Sequence, residues 1–254
     1  KKKPNFLTYI LFPLTFLIKI NNIIIKFFPK KKFNQIKTIC VGNIYLGGTG
    51  KTPTSLKLYQ ILKTKKYNTV IGKKYYPNQK DEIILLKNKS NFISSENREK
   101  IIKIAIDKNY ELIIFDDGLQ EKRINYDLKI VCFNSNQLIG NGMTLPSGPL
   151  RESINAIKKT QIVIINGNKN KLFEEKILSI SNKVKIFYSN YLPENIEEFK
   201  NKNLFAFAGI GNPSNFFKLL VDNNLNVHTK LAFPDHYEFN KSEIQKMIDV
   251  SFQN

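Results

Sequence analysis

The chain has 254 residues, enough to bury a substantial core in one larger domain or two small ones. Its formal net charge of +19 favours an anionic partner, namely lipid headgroups, nucleic acid or a phosphorylated substrate. Lys, Asn and Ile abound throughout the chain, so a general compositional bias is the alternative explanation of this charge. Its two cysteines, Cys40 and Cys132, lie in apolar segments, which favours core positions in a reducing compartment over a disulfide framework.

The first predicted element is an apolar and basic helix at the N-terminus. Residues 6–18 (FLTYILFPLTFLI) form a run of 13 mostly apolar residues, and a second run at 23–28 contains Lys26. Thirteen helical residues span about 20 Å, less than the roughly 30 Å of bilayer hydrocarbon. Residues 1–37 hold nine lysines and no acidic residue. We therefore predict a membrane-associated helix over 1–30 that lies in the cytoplasmic leaflet or dips into it; a full span, a buried core helix and a signal peptide are the alternatives.

A strand, a glycine-rich turn and a helix follow, in the order that a phosphate-binding loop requires. Residues 36–42 (IKTICVG) read as a buried strand, and residues 44–54 (IYLGGTGKTPT) contain the Gly-Lys-Thr ending of such a loop. Tyr45 stands where the usual pattern has glycine, and a structural turn with a chance Gly-Lys-Thr is the alternative. The expected ATP-binding residues are Gly47, Gly48, Thr49, Gly50, Lys51 and Thr52. Lys51 would neutralise the transferring phosphate, and the hydroxyl of Thr52 would bind Mg²⁺.

Paired aspartates close a second buried strand. In residues 111–118 (ELIIFDDG) the apolar run ends at Asp116 and Asp117. A carboxylate at the end of a strand parallel to the loop strand would lie beside Thr52, where Mg²⁺ binds. Acids at a strand end also serve as helix caps, so this interpretation depends on the loop.

Further strands alternate with helical patterns along the chain. Strands are predicted at 67–76, 81–87, 127–134, 161–167, 185–190 and 204–211, and helices at 96–109 and from Pro213 to about Asn223. This alternation predicts an α/β fold of the P-loop NTPase type, with a three-layer, mainly parallel sheet. We expect three parts: the helix at 1–30, a P-loop core at 31–190 and a smaller α/β lobe at 191–254.

Five stretches together resemble one enzyme family. VGNIYLGGTGKTP, IIFDDGLQ, GNGMTLPSGPLRE, FAGIGNPSNFF and FPDHY occur in the order and spacing of the tetraacyldisaccharide 4'-kinases, membrane-associated kinases of lipid A biosynthesis. The resemblance extends to about residue 240. It implies transfer of the γ-phosphate of ATP, with Mg²⁺, to the 4'-hydroxyl of a tetraacylated disaccharide 1-phosphate. It also implies a monomer on the cytoplasmic side of the inner membrane, with no nucleic-acid partner.

The resemblance also assigns roles to individual residues. Asp81 matches the proposed catalytic base, and His236 matches the histidine that would partner it; Lys51 is the third catalytic residue. The residues matched to substrate contacts are Lys73, Arg98, Gln120 and Arg151.

The chain departs from the family pattern at three places. Glu121 replaces the family's histidine, Ile83 replaces the proline after Asp-Glu, and the closing Thr-Glu-Lys-Asp segment is absent. The sequence is therefore either a fragment or a shortened member.

Two other functional classes are alternatives to a lipid kinase. A membrane-associated P-loop NTPase without a lipid acceptor would need a water-positioning residue, and the chain lacks the GTP-specifying Asn-Lys-x-Asp motif. A nucleic-acid-binding protein would need aromatic residues interleaved with its charge on an exposed face, whereas the densest charge here flanks an apolar helix.

Overall fold

A seven-stranded sheet forms the centre of the computed structural model, which describes residues 6–15, 20 and 29–252. The strand order is β3-β2-β4-β1-β5-β6-β7, and all six pairings are parallel. The strands are β1 (Lys37–Gly42), β2 (Thr69–Lys74), β3 (Phe92–Ser95), β4 (Leu112–Asp116), β5 (Leu128–Asn134), β6 (Ile162–Asn166) and β7 (Lys185–Ser189). The α/β fold with a parallel sheet is thus confirmed.

Helices cover both faces of this sheet. They are α2 (Lys51–Thr64), α3 (Lys80–Lys89), α4 (Arg98–Asp107) and α5 (Lys171–Ile180), with a 3₁₀ helix at Ile154–Lys159; the short helix α1 (Phe6–Ile10) precedes them in the chain. One core cluster contains Tyr59 of α2 and Leu86 of α3, and the other contains Ile101 of α4 and Phe173 of α5. In β1, Ile39 belongs to the first cluster and Cys40 to the second. Successive strand residues point to opposite faces, so both faces are apolar.

The prediction of a strand at 81–87 is wrong, because this segment lies in the helix α3 (Lys80–Lys89). A short apolar run such as Ile83–Leu86 fits a buried strand and a helix equally well by pattern. Asp81 and Glu82 at the start of the run favour the helix, because acidic side chains stabilise its positive N-terminal end. The strand of this region is β3 (Phe92–Ser95), which the sequence analysis did not predict.

The described chain divides into two compact units, one ending at Asn190 and the other beginning at Tyr191. The second unit holds a parallel pair of strands, β8 (Leu204–Ala208) and β9 (Val227–Ala232). Its helices are a 3₁₀ helix (Ile196–Phe199), α6 (Pro213–Asp222) and α7 (Lys241–Phe252). The rings of Phe207, Phe233, Tyr237 and Phe239 pack on one another beside the strand pair.

Part of the predicted N-terminal helix can be described. α1 covers Phe6–Ile10, and residues 12–15 are also helical. Phe6, Tyr9 and Ile10 are exposed, whereas Thr15 is buried and its hydroxyl lies 2.6 Å from that of Ser147. The rest of the 1–30 segment, apart from residues 20, 29 and 30, lies outside the described residues. Within the described part of the chain, no helix is both long enough and apolar enough to cross a bilayer.

Candidate active site

The glycine-rich loop after β1 connects directly to α2. Gly47 and Gly50 have positive φ angles of 112° and 84°, a conformation that glycine adopts without strain. Gly50 immediately precedes the first residue of α2, Lys51. Tyr45 instead forms an isolated antiparallel bridge with Leu150. Its backbone is therefore extended, and the loop does not require glycine there.

Hydrogen bonds within the loop and from two neighbouring segments hold this loop in place. Asn43 donates from Nδ2 to the carbonyl of Tyr45 at 2.5 Å, and the amide of Leu46 donates to the carbonyl of Pro149 at 2.8 Å. On the other side, Nδ2 of the buried Asn166 donates to the carbonyl of Thr49 at 2.5 Å. The loop is thus fixed before any ligand binds, as phosphate binding by backbone N–H groups requires.

Asp116 receives hydrogen bonds from the first two turns of α2. It ends β4, which pairs with β1, and is completely buried. Its Oδ2 accepts from the hydroxyl of Thr52 at 3.1 Å, and its Oδ1 accepts from that of Ser55 at 3.0 Å. Residues three apart on a helix share a face, which explains why both hydroxyls reach one carboxylate.

Lys73 lies between two carboxylates. Its Nζ is 2.8 Å from Oδ2 of Asp116 and 2.5 Å from Oε2 of Glu82, and its side chain is 2% exposed. Burial by itself would lower the pKa of Lys73, but the charges and hydrogen bonds of Asp116 and Glu82 outweigh it and raise this pKa above its usual range. The lysine is therefore charged inside the protein. This position differs from the predicted substrate contact, because the ammonium group is enclosed by these two acids.

Asp117 is held in a strained conformation by arginine contacts. Its φ is +57°, and Nη1 of Arg151 lies 2.9 Å from its Oδ1 and 3.0 Å from its Oδ2. Nη2 of Arg98 donates to its backbone carbonyl at 2.5 Å. Burial acts to raise the pKa of Asp117, but Lys51 and Arg151 outweigh burial and lower it. Asp117 is therefore ionised, and it interacts electrostatically with Lys51.

A cavity of about 490 Å³ opens beside Asp117. Three predicted substrate residues, Arg98, Gln120 and Arg151, line it together. Arg151 contacts Oε1 of Gln120 at 3.2 Å, and Glu121 lies 3.8 Å from Arg98. The remaining lining residues are Lys74, Tyr76, Asn78, Gln79, Asp117 and Glu121.

The predicted base and its partner histidine belong to different units. Asp81 is exposed in the first turn of α3, in the first unit. His236 lies in the loop after β9, in the second unit, with φ of +59° and its amide donating to the carbonyl of Gly209 at 3.2 Å. Nε2 of His236 is 3.8 Å from a carboxylate oxygen of Asp235. The pairing of Asp81 with His236 stays a prediction.

The predicted magnesium ligands offer oxygen atoms only. The hydroxyl of Thr52 and the carboxylate of Asp116 adjoin, and Asp117 follows in the chain. Among the residues that the structure describes, no group of three or more His, Cys, Asp and Glu side chains could hold a metal ion. This donor set fits Mg²⁺, which takes one or two protein ligands and completes its shell with phosphate oxygens and water.

Sequence reasoning missed Ser55, Glu82 and Asn166. Ser55 could have been found from its position three residues after Thr52 on the predicted helix. Asn166 is the polar last residue of an apolar strand, the same signal that identified Asp116. Glu82 was hidden by the wrong strand prediction at 81–87.

A family model and two curated relatives of this chain carry the name of one activity. The family model described as tetraacyldisaccharide-1-P 4'-kinase matches residues 7–253. A tetraacyldisaccharide 4'-kinase of Pelagibacter ubique is 44% identical over 97% of this chain and 79% of its own length. One from Rickettsia bellii is 32% identical, with 97% of this chain and 81% of its own length covered.

A solved structure shares the fold. The crystal structure of an "apo" form of LpxK from Aquifex aeolicus in complex with ATP matches with a TM-score of 0.68 and 23% identity. The match covers 92% of this chain and 84% of that chain. With the family model matching nearly the whole sequence, the chain belongs to the tetraacyldisaccharide 4'-kinase family.

Proposed function

We propose that this chain transfers the γ-phosphate of ATP to the 4'-hydroxyl of a tetraacyldisaccharide 1-phosphate, a step of lipid A biosynthesis. One observation carries this proposal: the preformed glycine-rich loop ending in Lys51 lies beside the buried Asp116, the partly buried Asp117 and a cavity lined by Arg98, Gln120 and Arg151. Phosphoryl transfer needs this combination of a phosphate cradle, a cation at the transferring group and an adjacent acceptor site.

The nucleotide end of the site uses backbone and charge. Residues 47–52 lead into the start of α2, where the helix dipole favours anions, and their N–H groups would bind the phosphates. Lys51 supplies the positive charge nearest the transferring phosphate. Thr52, Asp116 and Asp117 would hold Mg²⁺, which when bound neutralises charge that develops on the phosphate oxygens.

The cavity beside Asp117 suits the polar part of the acceptor. Its lining carries three cations (Lys74, Arg98 and Arg151) and two anions (Asp117 and Glu121), a balance of +1 that favours a phosphorylated sugar. A volume of about 490 Å³ is in the range of small-ligand sites. It is too small for a disaccharide with four acyl chains, so the chains would stay outside it.

Asp81 acts as the general base in this proposal, and His236 orients it. A sugar hydroxyl is a poor nucleophile, so a carboxylate that accepts its proton speeds transfer. Asp116 and Asp117 are poorly suited, because Asp116 accepts hydrogen bonds from Thr52 and Ser55 and Asp117 is paired with Arg151. Asp81 is exposed and therefore accessible to an acceptor.

The N-terminal segment brings the enzyme to its lipid. Those of the nine lysines of residues 1–37 that lie at an anionic leaflet would each contribute about 1 kcal/mol of attraction to it. The exposed apolar residues Phe6, Tyr9 and Ile10 would enter its interface. We propose a monomer associated peripherally with the cytoplasmic face of the inner membrane.

The decisive experiment measures ATP turnover by the intact chain with and without the tetraacylated disaccharide 1-phosphate in mixed micelles. A kinase requires the acceptor and forms a stoichiometric 4'-phosphorylated lipid. Equal ADP formation without acceptor, and no labelled lipid from γ-labelled ATP, would instead identify a membrane-associated NTPase.

A further inference from the structure

Lys73 joins two parts of the active-site region from inside the protein. Its Cα pairs with that of Asp116 on the neighbouring strand, so the two side chains leave the same face of the sheet. Its ammonium group contacts Asp116 at 2.8 Å and Glu82 at 2.5 Å. Because the side chain is almost completely buried, these two carboxylates replace the water that the charge has lost.

The Glu82 contact anchors the first turn of α3. Gln79, the N-cap residue, makes no side-chain capping hydrogen bond, and Leu86 is the buried residue of this helix. Ile84 and Leu85 on the following turn are exposed. The pair of Glu82 and Lys73 therefore attaches the first turn of α3 to the sheet.

We propose that Lys73 is a positioning residue for phosphoryl transfer. It ties Glu82 to Asp116, and so holds the first turn of α3 at a set distance from Thr52 and the phosphate loop. Asp81 is the residue before Glu82, so the same tether sets the place of the base. This inference rests on the proposed function, since it concerns the residue assigned there as base. In this proposal Lys73 acts through Glu82 and Asp116, which enclose its ammonium group.

A matched pair of variants separates this role from ordinary ion-pair stability. Glu82→Gln removes one charge of the tether and keeps the shape of the side chain. Glu99→Gln does the same at the pair of Lys31 and Glu99, which has an N–O distance of 2.6 Å. The exposed fractions of the two glutamates are alike, 26% for Glu82 and 24% for Glu99.

The first readout is amide hydrogen exchange in the intact chain, followed on peptides that cover residues 80–86. Exchange there should be about tenfold faster in Glu82→Gln and unchanged in Glu99→Gln, because a lost tether lets the turn open. A folded Lys73→Met variant should also show faster exchange in these peptides. If Lys73→Met does not fold, Glu82→Gln alone provides the test. Wild-type exchange in Glu82→Gln, or in a folded Lys73→Met, would overturn the proposal.

The second readout is kinetic. In Glu82→Gln, kcat should fall about 10- to 100-fold, the scale of a base displaced by about 1 Å, while KM for ATP changes by less than about threefold. The acidic limb of the pH profile of kcat should persist, because Asp81 still takes the proton. Loss of that limb would make Glu82 the base and refute the proposal, as would a kcat equal to that of Glu99→Gln. Full activity in Asp81→Asn would refute only the base assignment of the proposed function.

Discussion

One nitrogen of Arg151 contacts both carboxylate oxygens of Asp117, at 2.9 and 3.0 Å. Arg151 lies in the loop after β5, whereas Asp117 directly follows β4, and these two strands lie on opposite sides of β1 in the sheet. Together with Lys51, this arginine lowers the pKa of Asp117 against the opposing effect of burial. Asp117 therefore interacts both with Arg151, which lines the acceptor cavity, and with the charge of Lys51 in the nucleotide loop.

Arg151→Ala should make the enzyme more sensitive to acid. A carboxyl group with a lowered folded-state pKa stabilises the protein above its unfolded pKa of about 3.9, and this contribution is lost as pH falls through the folded value. Removing Arg151 raises the pKa of Asp117, so the loss begins at higher pH. We expect about 1–3 kcal/mol less stability at pH 7. Urea unfolding between pH 3 and 7 measures both effects, with exposed Arg123→Ala as control; identical pH curves for the two variants would contradict the prediction.

Asn166→Ala should loosen the phosphate loop. The substitution leaves the carbonyl of Thr49 and the hydroxyl of Ser189 without this partner, at a cost of about 1–3 kcal/mol. A freer loop pays more entropy on binding, so the Kd for ATP should rise about tenfold, or 1.4 kcal/mol. Calorimetric ATP titration measures it. The control is Asn134→Ala, a buried asparagine at the end of β5 that bonds to its own turn. An equal loss of affinity in both variants would argue against a special role for Asn166.

Lys51→Ala should abolish ATP-dependent phosphorylation of the lipid, because it removes the point charge nearest the transferring group. Lys57→Ala, on the exposed side of the same helix, is the matched control and should retain activity. Transfer of labelled phosphate to the acceptor is the measurement. If Lys51→Ala turned over normally, the loop would be a structural turn.

Asp81→Asn should lower kcat by about 10²–10⁴-fold, the usual scale for loss of a general base, with little change in ATP affinity. His236→Ala should also lower kcat, because the histidine is proposed to orient that base. The double variant should be little worse than Asp81→Asn, since groups that act as a unit are non-additive. Steady-state kinetics on all three variants test this; multiplicative single effects would leave Asp81 acting without His236.

Deleting residues 1–28 should release the protein from anionic vesicles while nucleotide binding is retained. The intact chain should bind such vesicles less tightly as salt rises, because lysine attraction to the surface is screened. Sedimentation with vesicles of phosphatidylglycerol and phosphatidylethanolamine measures both, and ATP titration checks that the truncated chain is folded. Equal sedimentation of the two forms would mean that another surface binds the membrane.

The amino-acid sequence by itself determined the parts of this protein that depend on neighbours along the chain. The apolar strands β1 and β4, the glycine-rich turn and the start of α2 at Lys51 follow from local pattern, because β-branched runs, positive φ at glycine and helix-start residues act within a few positions. The order of these elements also predicted the parallel sheet. The same local reasoning went wrong at 81–87, where a short apolar run is compatible with both strand and helix.

Only the tertiary structure decided which distant side chains meet. Lys73 and Asp116 are 43 residues apart and meet because their strands are neighbours in the sheet. Asn166 and Thr49 are 117 residues apart and meet because the end of β6 lies beside the loop that follows β1. Sequence spacing carries no record of strand order, since β4 inserts between β1 and β2. That insertion places Lys73, a predicted substrate contact, opposite Asp116. Glu82, in the segment wrongly predicted as a strand, pairs with the same lysine.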